Sequence, residues 1–329
     1  GQGTRDGHRL VGGRRLPLEE KRPRRARGAL AEARGGSGFT DITEAGVRLT
    51  TPAATAPLRR DGLGWYLYGV AAADEASARL GAGLAAGAVQ GIDLVAEGPL
   101  VGVTSRVSLQ EFAEPALPER LRDTTWLEQM IRTHEQVLER VLEDASVVPC
   151  RFCSVYRSEA ELRRFLSERR EVLQAALDRV RGRVEVGVKA FIDRDRFAAG
   201  RARQNEDVRQ QETQVSSAEG GRAYLERRRF EQLVASELER FRGEAADRLH
   251  TRLLAAAEDG LALPLQAPEL SGREEEMVFN GAYLVTADRG AFEQALASLG
   301  RDFRDDGVEL ELTGPWPAYN FVPEELGAE

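Results

Sequence analysis

The chain has 329 residues, of which 42% are hydrophobic and 30% are charged, as expected of a globular protein long enough for two domains. Its formal net charge is -8, but residues 1–60 hold 13 basic and 6 acidic residues, so a segment of +7 precedes a body of -15. Two cysteines exclude a disulfide framework for a chain of this length, and the lack of a run of about 18 apolar residues excludes a transmembrane helix.

Residues 1–62 are rich in Gly, Arg, Ala, Thr and Pro and show no sustained hydrophobic period, so we predict a disordered basic arm. Such an arm is either a solvated tail or a contact for an acidic partner, and the sequence leaves both interpretations open. The first ten residues lack the apolar stretch of a signal peptide, so we expect a cytoplasmic protein.

The first predicted element of the body is a strand, indicated by an aromatic run at 65–70. An alanine-rich helix is predicted near 74–86. Two further strands are predicted at 92–97 and 100–107, and the Gly-Pro pair between them indicates a hairpin.

A long helix follows this hairpin. Thr125 and Glu128 fit a capping box, and apolar residues then recur every three or four positions as far as Leu142. Residues 147–152 predict a strand. A second capping box opens a helix that we expect over 158–180.

The segment 183–192 alternates with period two and predicts a half-buried strand. Glu185 and Lys189 share the less apolar face but stand about 13 Å apart along the strand, which is too far for a direct salt bridge. Each side chain therefore needs another partner, which we expect from the long helix or from the other domain.

The polar stretch 193–259 predicts two helices or one kinked helix, because paired glycines at 220 and 221 weaken helical structure. Strands are predicted at 261–266 and 277–286. A short helix at 289–299 and a final strand at 308–313 follow.

These elements predict an α+β fold with two domains. The order from residue 183 onward is β-α-β-β-α-β, which is the ferredoxin-like pattern with long helices inserted, and residues 65–152 give the same order. We therefore predict a basic arm, an N-terminal α+β domain, a C-terminal modified ferredoxin-like domain with a helical insertion, and a tail. Their predicted boundaries are 1–62, 63–181, 182–323 and 324–329.

Cys150 and Cys153 form a CxxC motif, which is either a redox pair or half of a zinc site. The three histidines, His8, His134 and His250, have no metal-ligand spacing, and the cysteines fall in a predicted strand rather than at a helix N-terminus. We therefore prefer two space-filling cysteines and keep a thiol redox enzyme as the alternative. No familiar catalytic motif is present, so we predict no catalytic site and no cofactor. The acidic body argues against nucleic-acid binding.

Five short motifs follow one another in order along the body and together resemble the GvpL/GvpF family of gas vesicle proteins. Cys153 stands where that family usually has a small residue such as glycine. The motif residues are Tyr66, Tyr68, Gly69 and Val70; Asp123, Trp126, Leu127, His134, Glu135, Val137 and Leu138; Val147, Val148, Pro149, Arg151 and Phe152; Glu185, Gly187, Val188 and Lys189; and 280–285 with 313–321.

The resemblance implies a cytoplasmic, non-enzymatic accessory protein that is needed to form gas vesicles and is associated with the vesicle. Its implied partners are the small hydrophobic wall protein GvpA and other accessory proteins, with neither membrane nor nucleic acid among them. Two α+β domains, the second a modified ferredoxin fold, are also implied, without catalytic residues or cofactors.

Trp316, Tyr319 and Phe321 are the candidate interaction residues. Pro315 and Pro317 stiffen this segment and cannot donate hydrogen bonds, so we expect it to run outside any central strand, with at least one ring partly exposed. Tyrosine and tryptophan contribute strongly at protein interfaces. The alternative is a rigid closing loop packed on the sheet.

Overall fold

The computed structural model describes residues 62–75, 91–112, 116–267, 273 and 275–323. The predicted arm (apart from Gly62), most of the predicted helix 74–86 and the predicted tail 324–329 lie outside these residues. Across the part of the chain that is described, no helix combines the length and the apolar character that a membrane crossing requires.

The first half of the described chain builds one antiparallel sheet. The strands are β1 (Leu63–Ala72), β2 (Ile92–Glu97), β3 (Leu100–Ser108), β4 (Val147–Pro149) and β5 (Val155–Tyr156). They run in the order β2-β3-β1-β4, and β5 pairs with the start of β1. The predicted hairpin between β2 and β3 is confirmed, and it turns at Gly98, whose φ of 59° suits glycine.

Five described helices accompany this sheet: α1 (Leu109–Phe112), α2 (Ala116–Arg120), α3 (Thr124–Leu142), α4 (Glu159–Glu168) and α5 (Arg170–Val180). The N-cap of α3 is Asp123, whose carboxylate accepts from the backbone N of Thr125 and of Trp126. The capping box predicted at Thr125 is therefore wrong, because Thr125 already lies in the first helical turn and a better acceptor precedes it.

The second predicted capping box is confirmed in outline. Ser158 Oγ accepts from the backbone N of Glu161 at 3.2 Å, and the Glu161 carboxylate accepts from the backbone N of Arg157 at 3.0 Å. The helix expected over 158–180 breaks at Arg169 into α4 and α5. The break lets α4 lie against β2 and β5 while α5 reaches β1, β4 and the strand Arg183–Ile192 of the second half.

The second half builds another antiparallel sheet. Its strands are β6 (Arg183–Ile192), β7 (Asp259–Ala262), β8 (Glu276–Thr286) and β9 (Val308–Trp316), and they run in the order β7-β8-β6-β9. Numbered within each half, both sheets place their first four strands in the order second, third, first, fourth. The α+β fold class is confirmed, while the ferredoxin-like assignment and the domain boundaries stay predictions.

The polar stretch after β6 is helical and breaks beside the paired glycines, as predicted. The helices of this half are α6 (Arg194–Ala199), α7 (Glu206–Ser217), α8 (Gly220–Leu254) and α9 (Gly290–Asp302), with a 3-10 turn at Arg201–Gln204. The apolar stripe of α8 faces the second sheet, and its buried members are Leu238, Phe241, Ala245, Leu249 and Leu253.

Three apolar cores result. One lies between α3 and the first sheet, and another lies between the second sheet and the helices α8 and α9. The third core joins the two halves: side chains of β1, α4 and α5 meet Ala282 and Leu284 of β8 and Phe321 near the C-terminus. This shared core brings the C-terminal aromatic residues against both halves of the protein.

Candidate functional site

The C-terminal segment, residues 313–322, is positioned by β9. This strand pairs with β6 and, among the described residues, has no strand on its other side. It continues through Trp316, beyond the predicted end at residue 313, and Trp316 lies opposite Glu185 after a register shift. An edge strand tolerates Pro315 because its outer side needs no hydrogen-bond donor.

Glu185 attaches the C-terminal segment to β6. The side chain is only 6% exposed, and its carboxylate accepts from the Asn320 backbone N at 2.9 Å and from Asn320 Nδ2 at 2.6 Å. Hydrogen bonds to an ionised acceptor are stronger than neutral ones, so this pair fixes the backbone between two aromatic residues. The donor of these bonds belongs to the same half, whereas we expected a partner from the long helix or from the other domain.

The three candidate interaction rings differ in exposure. Tyr319 keeps 38% of its surface exposed, Trp316 is half-buried, and Phe321 is buried at 3% in the core between the two halves. Trp316 Nε1 also donates to Thr313 Oγ1 at 3.4 Å. Phe321 therefore docks the segment and offers no ring to a partner, so the interaction role predicted for it is corrected. Tyr319 and Trp316 remain available.

The hydroxyl of Tyr319 is desolvated although the residue is partly exposed. Burial of this hydroxyl is the main reason that its pKa is raised well above the usual value, and the carboxylates of Glu135 and Glu185 raise the pKa further. Glu135 belongs to α3 and Glu185 to β6, so the ring lies where the two halves meet. A neutral tyrosine that keeps part of its surface exposed can pack against an apolar partner.

The cysteines occupy the loop between β4 and β5. The predicted strand 147–152 ends at Pro149, so Cys150 follows the strand and Cys153 lies in a turn with φ of 66°. Both thiols are free and buried, and burial raises the pKa of each to about 12. Reactive thiols have a lowered pKa instead, so this environment opposes the redox alternative.

No group of three or more His, Cys, Asp or Glu side chains within the described ranges is arranged to hold a metal ion. His134, the histidine on α3, is also a packing residue in this structure. Its Nδ1 lies 2.9 Å from the hydroxyl oxygen of Tyr66, which in turn accepts from the backbone N of Cys153 at 3.1 Å. Burial lowers the pKa of His134 to about 4, against a weaker opposing effect of the Cys150 backbone.

Sequence reasoning missed the role of Asn320, which it treated only as part of a motif. The available signal was Glu185 itself, a carboxylate within a strand that is otherwise largely apolar. A buried charge needs hydrogen-bond donors, but periodicity cannot tell which distant segment supplies them.

Comparison with known proteins gives a consistent result. The profile of the family described as "Gas vesicle synthesis protein GvpL/GvpF" matches residues 64–323. Gas vesicle protein L of Streptomyces sp. (strain CB03234) is 35% identical over 230 residues, covering 70% of this chain and 82% of that protein. Gas vesicle protein F of Haloferax mediterranei is 25% identical over 203 residues, covering 60% of this chain and 72% of that protein.

Two crystal structures share the fold. The gas vesicle protein GvpF from Anabaena sp. PCC7120 superposes with a TM-score of 0.56 at 19% identity, covering 79% of this chain and 98% of that one. GvpF from Microcystis aeruginosa gives a TM-score of 0.52 at 17% identity, covering 79% and 99%. At these identities the likeness concerns the fold.

Proposed function

This chain belongs to the GvpL/GvpF family of gas vesicle synthesis proteins, and from that premise we propose that it supports assembly of the gas vesicle wall through protein–protein contacts. The proposed partners are the wall protein GvpA and other gas vesicle accessory proteins. The proposed location is the cytoplasm, in association with the vesicle. A role in gas vesicle formation follows from the family, whereas the partners, the location and the contact surface are our proposal.

The observation that carries this proposal is the pre-ordered C-terminal segment. The bonds between Asn320 and Glu185 and the burial of Phe321 hold the backbone, while Tyr319 remains partly exposed and Trp316 half-buried. Binding to an ordered loop requires little loss of conformational entropy. Tyrosine and tryptophan in such a position are favourable anchors for a partner.

The chemistry of the partner fits this surface. An unassembled wall protein that is small and hydrophobic exposes apolar area, which favours association or aggregation. A helper that covers this area with an aromatic ring would keep the subunit available for the growing wall. The proposed role is one of binding rather than catalysis, which the high thiol pKa of Cys150 and Cys153 supports.

The test is co-purification of the intact chain with tagged GvpA and with each accessory protein. We expect Tyr319→Ala and Trp316→Ala to reduce recovery of at least one partner, while thermal unfolding shows that the variants remain folded. Tyr224→Ala is the matched control, because Tyr224 is 65% exposed on α8 and lies outside the segment.

If the folded Tyr319 and Trp316 variants recover every partner as well as the wild type does, these residues are not anchors for a partner. If Trp316→Ala unfolds at a clearly lower temperature than the wild type, the Trp316 side chain stabilises the fold, since truncating a buried tryptophan costs about 3–5 kcal/mol. Tyr319→Ala then decides the question, provided that thermal unfolding shows this variant to be folded.

A further inference from the structure

The N-terminal half of α8 carries the most exposed large apolar side chains among the described residues. Tyr224 is 65% exposed and Leu225 is 57% exposed, and the two residues are adjacent in the chain. The buried apolar residues of α8 begin only at Leu238, so both side chains precede the part of the helix that packs on the second sheet. Together they form a small apolar patch, of the kind that protein contacts use.

A stripe along this half of α8 combines Tyr224 with charged and small residues. Its members recur every three or four positions, so they lie on one face of the helix, and each of them is exposed. The stripe consists of Gly221, Tyr224, Arg228, Glu231 and Ala235. The same spacing brings two helices together side by side in a coiled coil.

The two charges of the stripe are available to a partner. Arg228 and Glu231 lie one turn apart on the helix, yet neither makes an ion pair with any residue that the structure describes. Two other arginines of this region are already engaged by the buried carboxylate of Glu226, which lies 3.2 Å from the Arg229 guanidinium and 3.6 Å from that of Arg222. The unpaired charges therefore lie in the stripe itself, beside the exposed tyrosine.

The order of these charges decides how a second helix of the same sequence can lie on the stripe. In an antiparallel pair whose two-fold axis passes midway between positions 228 and 231, Arg228 of each copy lies opposite Glu231 of the other. Tyr224 then lies opposite Ala235, so a large side chain covers a small one. A parallel pair would instead place arginine against arginine and glutamate against glutamate, which is unfavourable.

The antiparallel arrangement also keeps the two bodies apart. Residues 221–238 overlap with the same residues of the other copy, over a length of about 25 Å. Since α8 enters the core against the second sheet from Leu238 onward, the two bodies lie at opposite ends of this overlap. Arg227 flanks the stripe, and its long side chain can extend into solvent.

We propose that α8 pairs with α8 of a second copy of this chain, in antiparallel orientation, through this stripe. The two-fold symmetry forms two arginine–glutamate pairs and two tyrosine–alanine contacts. The overlap is short and has charges at its centre, so the dimer is reversible rather than permanent. The stripe lies outside the C-terminal segment, so this association is independent of the contacts proposed there.

Sedimentation velocity of the intact chain over a range of concentrations measures the association. Arg228→Glu places carboxylates opposite each other in both pairs, and Glu231→Arg places guanidinium groups opposite each other. An equimolar mixture of these two variants restores opposite charges at both pairs, as does the double variant Arg228→Glu with Glu231→Arg. Asp247→Arg is the matched control, because Asp247 is exposed on α8 outside the stripe and has no ion-pair partner within the described ranges.

We expect the wild type to dimerise reversibly and added salt to weaken the dimer. Each single variant of the stripe should lose at least about tenfold in affinity, whereas Asp247→Arg should match the wild type. The mixture and the double variant should dimerise again, and recovery in the mixture also shows that both single variants are folded. A wild type that stays monomeric at every concentration, single variants that dimerise as the wild type does, or a mixture that stays monomeric would overturn the proposal.

Discussion

Asn320 donates two hydrogen bonds to the buried carboxylate of Glu185, one from its backbone N at 2.9 Å and one from Nδ2 at 2.6 Å. The two residues are 135 positions apart in the chain, so this contact ties the last turn of the body to the first strand of the second sheet. Asn320 lies between Tyr319, which is partly exposed, and Phe321, which is buried in the core. The contact therefore fixes the backbone next to both aromatic residues.

Asn320→Ala should lower the free energy of unfolding by about 1.5–3 kcal/mol, because a hydrogen bond to a buried carboxylate is lost. Urea denaturation measures this change. Asn280→Ala is the control: Asn280 Nδ2 donates at 2.9 Å to the neutral backbone oxygen of Pro264, and its loss should cost about 1 kcal/mol. Equal small losses in both variants would show that Glu185 does not depend on Asn320.

The double variant Cys150→Ala with Cys153→Ala should still support gas vesicle formation in cells that lack the natural protein. The lost packing should cost about 1 kcal/mol for each buried thiol. Because burial raises the pKa of both cysteines to about 12, neither thiol should react with a disulfide reagent at pH 8 until the protein is unfolded. A rapidly reacting thiol in the folded protein, stoichiometric zinc, or a folded double variant without vesicles would favour the redox or metal alternative.

His134 should make stability depend on pH in mildly acidic solution. Its pKa is about 4 in the folded protein and about 6.5 when unfolded, so between these values the unfolded chain binds one more proton. The free energy of unfolding therefore rises with pH through this window and falls by about 3 kcal/mol as the pH drops from 6.5 to 4. His134→Gln keeps an acceptor for Tyr66 but cannot titrate. If its stability fell as steeply as that of the wild type, His134 would not be the source.

Much of the secondary structure could be predicted from local pattern. The alternation in 183–192 predicted β6, where Val184, Val186, Val188, Ala190 and Ile192 are buried, and the Gly-Pro pair predicted the turn before β3. These signals work because a strand presents alternate residues to the core and because glycine permits the turn. The N-cap of α3 was misplaced because three consecutive polar residues, Asp123, Thr124 and Thr125, can each take that role.

At Cys153, the resemblance to the family gave information that the residue type did not. The resemblance implied a small residue such as glycine there, and the structure gives Cys153 a φ of 66°, in the left-handed region that favours glycine. Its side chain is nevertheless buried among the residues between α3 and the first sheet. The cysteine side chain predicted a buried, space-filling residue, but it did not predict the turn in the loop between β4 and β5.

The sequence by itself determined the order of the longer strands and helices, the apolar face of β6 and α8, and the family. Only the tertiary structure decided that Phe321 is buried while Tyr319 is exposed, and that Asn320 is a partner of Glu185. The physical reason is the range of the interactions involved. Periodicity reports how neighbours along the chain share a face, whereas burial and hydrogen bonding of the C-terminal segment depend on β6, α5 and β8, which reach it only when both sheets have packed.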